Sequence, residues 1–220
     1  MKLNYKIRKF EPKDTKAIKN ICADTGFLGE KIDTLFSDRE LFTQLIRNYY
    51  LKHEPEHILI AESKGKVVGY LFGSLKPNAH FYILLNQIIV MIKILFSFLI
   101  GKYKKYPQNK KFIKYLLTKA PFELVKTPKN YAHAHFNIIK KYRHKGIGTD
   151  LIKTALKQLS NKIKKYKIKG LYGEVFSYAH KSEAYFEKAG FKIYDKKKTN
   201  FLKDKIKGNV YVLCITKKLF

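Results

Sequence analysis

Cysteine is scarce in this 220-residue chain: only Cys22 and Cys214 are present. Two thiols cannot form a disulfide framework, and they suit a reducing, cytoplasmic setting. No metal site is expected. Arginine is scarce too, at four (Arg8, Arg39, Arg47 and Arg143) of the 46 basic residues. Only 17 acidic residues oppose them, so the net charge is +29. Such a charge attracts nucleic acid, anionic lipid and acidic ligands non-specifically. The lysines are spread along most of the chain, whereas a dedicated nucleic-acid protein concentrates arginine and aromatics on one face. They read as a lysine-biased solvated surface, with no specific nucleic-acid partner. No apolar run near Met1 resembles a signal peptide, and Met1 to Phe10 reads as a strand. The length fits one domain, or a domain with an insertion, and can bury a sizeable core.

Two phosphate motifs are also missing. A dinucleotide fingerprint needs a third glycine where Leu151 stands, and an acidic residue about 20 positions on, where the chain reads Lys-Ile-Lys-Gly. The Gly-Lys-Ser/Thr of a P-loop occurs nowhere.

What is present centres on His133 to Thr149. His133, His135 and Asn137 alternate with Ala134, Phe136 and Ile138, the period of a strand. Lys140 to Lys145 is a polar connector carrying Arg143. From Gly146 the apolar residues Ile147, Leu151, Ile152, Ala155, Leu156, Leu159 and Ile163 recur at helical spacing. A strand thus feeds a glycine turn that opens a helix. The first amides of a helix have no partner within it, and the dipole favours negative charge there. Gly146 and Gly148 let backbone approach a ligand, and Arg143 and Lys145 add charge. The expected ligand is a phosphate or diphosphate; glycine spacing alone fits an ordinary helix start equally well.

The rest of the chain reads in order. Leu3 to Arg8 is a strand, and Asp14 caps a helix with Ala17, Ile18, Ile21 and Cys22 inward. Thr25 to Gly29 breaks it. A second helix holds Ile32, Leu35 and Phe36, and Asp38 caps a third through Tyr49. Ile58 to Ala61 and Val67 to Ser74 form a hairpin. Gly170 to Phe176, Phe191 to Tyr194 and Val210 to Ile215 are later strands; Lys162 to Lys169 is a basic connector. Ile83 to Ile100 is long and apolar enough to suggest a membrane span. A span would part the hairpin from the His133 strand, so it is rejected if the two share a sheet. It then covers the domain, a neighbouring subunit or the active site, or it lies on a bilayer with Lys102, Lys104 and Lys105 near headgroups. Phe112 to Leu117 is another short helix.

Arg143-x-x-Gly146-x-Gly148, between its strand and its helix, resembles the acetyl-CoA-binding motif of the GNAT acetyltransferases. Ser182 to Phe191, ending in Gly-Phe, is similar to that family's last helix. Ala132-His-Ala-His135, Ile21 to Gly26, Tyr49-Tyr50 before Glu54-Pro55, and Gly69-Tyr70 resemble a bacterial branch similar to the acetyltransferase-like domain of O-GlcNAcase. The resemblance implies a single α/β (α+β) domain over 1–220. Its mixed central sheet has about seven strands flanked by helices. A hydrophobic helical insertion falls between the third and fourth strands, at about 75–130.

It implies an N-acetyltransferase working by direct transfer from acetyl-CoA to an amine of a small-molecule or protein acceptor. The alternatives are a cofactor-binding pseudoenzyme or interaction domain, and a basic peripheral membrane or nucleic-acid binder. Ile138 and Ile139 would offer backbone groups to the pantetheine arm. Arg143, His144, Lys145, Gly146, Ile147, Gly148 and Thr149 would wrap the diphosphate, with Ser182 and Phe186 nearby. The family's acid tyrosine falls at Phe186, and its asparagine at Ala179. Tyr185, beside Phe186, substitutes as acid only if the helix is rotated. Asn137 replaces an aspartate, so the base candidates are His135 and His133, whose rings are expected to titrate near neutrality, with Glu174 as a further candidate. Thr25, Gly26, Tyr49, Tyr50, His133 and Asn137 would line the acceptor groove. Homodimerisation, and a peripheral membrane contact through 83–105, are left open.

Overall fold

The computed structural model describes residues 4–76, 79–160, 166–179, 181–202 and 205–218, with Lys181 and Ser182 as backbone only. The first half of the expected connector, 162–165, and Ile163 with it, lies outside the described residues.

Seven strands form one sheet: β1 (Lys6–Lys9), β2 (Leu59–Ser63), β3 (Lys66–Ser74), β4 (Tyr131–Ile138), β5 (Gly170–Tyr178), β6 (Lys192–Thr199) and β7 (Val210–Lys218), in the order β1-β2-β3-β4-β5-β7-β6. Among the described residues only β4 and β5 pair in parallel; the other pairings are antiparallel. The β2–β3 hairpin closes on Lys64 and Gly65, both at positive φ (49° and 71°), which matches strand twist.

Alternation along the strands feeds two cores, one on each face. Ile58 and Ile60 join Tyr70 and Phe72 under α1 (Thr15–Thr25) and α2 (Arg39–His53). Leu59 and Ala61 join Leu71 and Ala132 on the opposite face. There they meet Ile147, Leu151 and Ile152 of the helix spanning Ile147–Ser160, and Phe186 of Lys181–Lys188.

The insertion forms α3 (Ala79–Leu99) and α4 (Pro107–Thr118) between two strands that pair directly, Gly69↔Ile138 through Ser74↔His133. The helices from Ile147 and Lys181 are accordingly α5 and α6. Because β3 and β4 are neighbours, α3 cannot cross a bilayer on its way between them. Ala79, Val90 and Ile94 are buried, and Asn86 Nδ2 donates to the Gln44 carbonyl of α2 at 3.0 Å. Most of the rest of α3 is exposed. The helix covers part of the domain through the stripe that rests on α2, and among the described residues no second element covers its outside.

Three local expectations are revised. Asp14 does not cap α1 through its side chain; its carboxylate accepts from the Arg8 guanidinium at 2.7 and 2.8 Å. Asp38 does cap α2, accepting from the Leu41 amide at 3.0 Å. The second helix shrinks to one 3-10 turn, Ile32–Thr34, and α4 begins at Pro107 rather than Phe112. Proline suits a first helical position because the amide it lacks has no partner there anyway.

Candidate active site

β4 and β5 run together for only three residue pairs, Tyr131↔Gly170 to His133↔Tyr172. Beyond them β5 pairs with β7 alone, up to Tyr178↔Val210, and β4 with β3 alone. The sheet therefore splays open from Ala134 onward. In antiparallel pairing, alternate residues turn their backbone groups towards the partner strand. The Ile139 amide donates to the Val68 carbonyl at 3.0 Å, so Ile138, Phe136 and Ala134 turn theirs towards the gap. This revises one expectation: Ile139 faces β3, and its carbonyl accepts from the Tyr142 amide at 2.9 Å. Phe136 was missed, because only the register of β3 against β4 reveals which backbone edge is open.

The gap leads to the start of α5. His144 and Gly146 have φ of 59° and 86°, left-handed values alternating with their neighbours. Such alternation turns successive amides towards one point and makes an anion nest. Among the described residues, the amides of His144, Lys145 and Gly146 take no hydrogen bond within the protein. Ile147 is buried and anchors the loop, while His144, Lys145, Gly146 and Thr149 are exposed around it. A Cβ on Gly148 would lie 3.0 Å from the Tyr185 hydroxyl and 3.4 Å from Ile138 and Phe136 side chains. Glycine thus lets the helix start sit against the open edge of β4. This cradle fits a diphosphate, with backbone amides as its donors.

Arg143 behaves otherwise than expected. Its guanidinium turns back, Nε donating to the Ile138 carbonyl at 2.9 Å and Nη2 to the Gly29 carbonyl at 2.8 Å. Two carbonyls left over at the end of β4 and in the loop after α1 outcompete an open position in the nest. Arg143 positions the nest instead of lining it with charge. Lys140 adds a second link, to Glu30 at 2.6 Å.

On the face of the sheet towards α1 and α2, the splay is walled by His135 and Asn137 from β4 and by Glu174 from β5. Asn137 Nδ2 donates to the Tyr70 hydroxyl at 3.0 Å and to His135 Nε2 at 3.2 Å. Burial pushes the His135 pKa down to about 4, so the ring is neutral near neutrality, and its Nε2 lone pair is already engaged. His133 shares a hydrogen bond with Tyr50 through Nδ1, and burial holds its pKa at about 3. The expectation that these histidines titrate near neutrality therefore fails. Glu174 shifts the other way. Its side chain reaches solvent, yet surrounding protein raises its carboxyl above the ordinary 4.5.

The remaining candidates scatter. Phe186 is 8% exposed, edge-on to Phe136 and Phe191, and belongs to the core. Tyr185 stands 39% exposed against Gly148, and burial of its hydroxyl end raises its pKa. So α6 is turned with Tyr185, not Phe186, towards the start of α5. Ser182 is a side chain outside the described residues. The Thr25 hydroxyl is buried and donates to the Ile21 carbonyl at 2.7 Å, and Phe42 packs over Gly26. Tyr49 is buried, donating to Glu54 at 2.6 Å, and Tyr50 is buried beneath His133. The hydroxyls of Thr25, Tyr49 and Tyr50 are thus each engaged within the protein. Among the described residues, no group of three His, Cys, Asp or Glu could hold a metal ion.

Residues 103–191 match the family model described as "Acetyltransferase (GNAT) family". No curated protein sequence matches the chain. The solved structure of SsHAT superposes with a TM-score of 0.66 at 19% identity, covering 99% of each chain. An N-acetyltransferase from Staphylococcus aureus Mu50 gives 0.57 at 14% identity, again covering 99% of each. YncA of Salmonella typhimurium, solved with its cofactor acetyl-CoA, gives 0.54 at 11% identity, covering 98% of this chain and 94% of its own. At these identities the superpositions speak for the fold, while the family match covers the nest and α6. Over residues 103–191 the chain is thus similar to the GNAT acetyltransferase family, and the superpositions show that it shares the fold of these structures.

Proposed function

We propose that this protein transfers the acetyl group of acetyl-CoA directly to an amine, with Glu174 as the general base. The observation that carries the reading is the parted β4–β5 pair, whose open edge leads straight to the bare amides at the start of α5. Acetyl-CoA supplies an activated thioester with a thiolate leaving group. The amides from His144 to Thr149 bind its diphosphate, and the backbone edge of Phe136 and Ile138 orients the arm. An incoming ammonium must lose a proton before it can attack. Glu174 suits that step because its raised pKa makes the carboxylate a stronger base than an ordinary glutamate. His135 and Asn137 do not take the proton; they orient the acceptor and fix the polar wall opposite Glu174.

Tyr185 keeps its phenolic proton at neutral pH and offers it beside Gly148. Phe186, in the family's acid position, has no proton to give. That residue favours the second reading, a cofactor-binding pseudoenzyme. The unpaired, buried thiols of Cys22 and Cys214 support a reducing compartment.

Thiol release from acetyl-CoA, measured against a panel of small amines and lysine peptides, tests the proposal. Turnover with at least one amine, lost in Glu174→Gln, is expected. Calorimetric binding of acetyl-CoA with no turnover on any amine would establish the pseudoenzyme instead.

A further inference from the structure

The helix α3 is built inside out. Its polar Asn86 and Ser97 lie on the partly buried stripe with Val90 and Ile94 that rests on α2. Lys93 lies at the margin of that stripe, beside Asp38 and Glu40 in a groove of about 510 Å³. The outward face carries Phe81, Ile88, Ile92, Phe96 and Leu99, of which Ile92 is 62% and Leu99 73% exposed. From Phe81 to Ile100, Lys93 is the one charged residue, and mean hydropathy over the helix reaches 2.0. A soluble surface helix has the opposite pattern, and an apolar patch of this extent marks an interaction site.

Charge decides between the two apolar occupants. Lys102, Lys104 and Lys105 follow the helix directly, Lys110, Lys111 and Lys114 lie on the next one, and the whole chain carries +29. A second copy would bring an equal positive field against the first. An anionic bilayer offers acyl chains to the apolar face and negative headgroups to the flanking lysines. The direct pairing of β3 with β4 rules out a transmembrane path. We propose that α3 is an interfacial anchor: it lies flat in the headgroup region of an anionic membrane with its outward face among the acyl chains, and carries the acetyltransferase domain to a membrane surface.

The full-length protein is tested by flotation with vesicles of phosphatidylcholine alone and with a quarter phosphatidylglycerol, at low and physiological salt. Retention on the anionic vesicles is expected, at least tenfold above the neutral ones at low salt. The paired variant Ile92→Ser/Phe96→Ser should lose at least tenfold of that retention while keeping its far-ultraviolet circular dichroism and its affinity for coenzyme A. Because the chain has no tryptophan, Phe96→Trp gives a single reporter whose emission should shift to the blue on vesicles. No retention, or retention unchanged in the paired variant, overturns the proposal. So does a stable dimer in light scattering that the paired variant dissociates, which would assign the face to a second copy.

Discussion

The Arg143 guanidinium donates to the carbonyl oxygen of Gly29, 114 positions away in sequence, at 2.8 Å. Gly29 has φ +90°, and a Cβ there would lie 2.4 Å from Arg143 Nη1. The loop after α1 and the nest before α5 are thus held as one unit. Gly29→Ala should cost about 1–3 kcal/mol of stability, from backbone strain and the clash together. It should also weaken coenzyme A binding several-fold. Differential scanning calorimetry and titration calorimetry read the two effects. Unchanged affinity would show that the nest keeps its shape without this link.

Glu174→Gln should reduce kcat by about a hundredfold or more, the usual worth of a positioned base. The sign of the pH dependence follows from the shift. The carboxyl must be ionised to accept a proton, and its pKa lies above 4.5. The rate should therefore rise with pH on a limb displaced upward from an ordinary glutamate's, and the variant should lack that limb. A kcat/KM profile from pH 5 to 9 measures it.

Stability should have its own acid limb. His133 and His135 have folded-state pKa values of about 3 and about 4, below the ordinary 6.5. Between 6.5 and those values the unfolded chain binds protons that the folded chain does not. Stability thus declines as pH falls through that window, by roughly 3 kcal/mol for His135 alone. Urea titrations at pH 7 and pH 4.5 test this, and His135→Gln should flatten the difference.

Gly148→Ala would press a methyl against the Tyr185 hydroxyl at 3.0 Å. Because that hydroxyl is the far end of a side chain, removing it should relieve the crowding. A rise in KM for acetyl-CoA, about tenfold, is expected for Gly148→Ala and should be partly reversed in Gly148→Ala/Tyr185→Phe. By contrast, Phe186→Tyr should not raise kcat. Its new hydroxyl would enter the core beside Phe136 and Phe191, at a cost of about 1–3 kcal/mol if unpaired.

Local pattern carried much of this design. The alternation from His133 to Ile138 and the change of period at Gly146 located β4, the nest and α5, because both periods are written in neighbouring residues. Direction and environment were not legible there. The sequence places Arg143 beside two glycines, but the carbonyl of Gly29 that captures it arrives from another part of the chain. The histidines looked titratable because nothing local announces Tyr50 and Tyr70 closing over them. The rotation of α6 that aims Tyr185 at Gly148 depends on Phe186 finding its core contacts. The outward apolar face of α3 was visible as a run of greasy residues, but which side would meet water depended on how α2 packs.

The short β4–β5 junction has a mechanical consequence. Four strands on one side and three on the other are joined by strand pairing at Tyr131, Ala132 and His133, with the Lys169 amide donating to the Asn130 carbonyl just before them. Any molecule that hydrogen-bonds both margins beyond that seam acts as an extra rung, resisting the parting of the two halves. The protein should then melt later with coenzyme A present, by about 2.7 kcal/mol at a hundred times its dissociation constant. Protection from hydrogen exchange should spread from β4 into β5 across a seam that backbone pairing alone leaves loose.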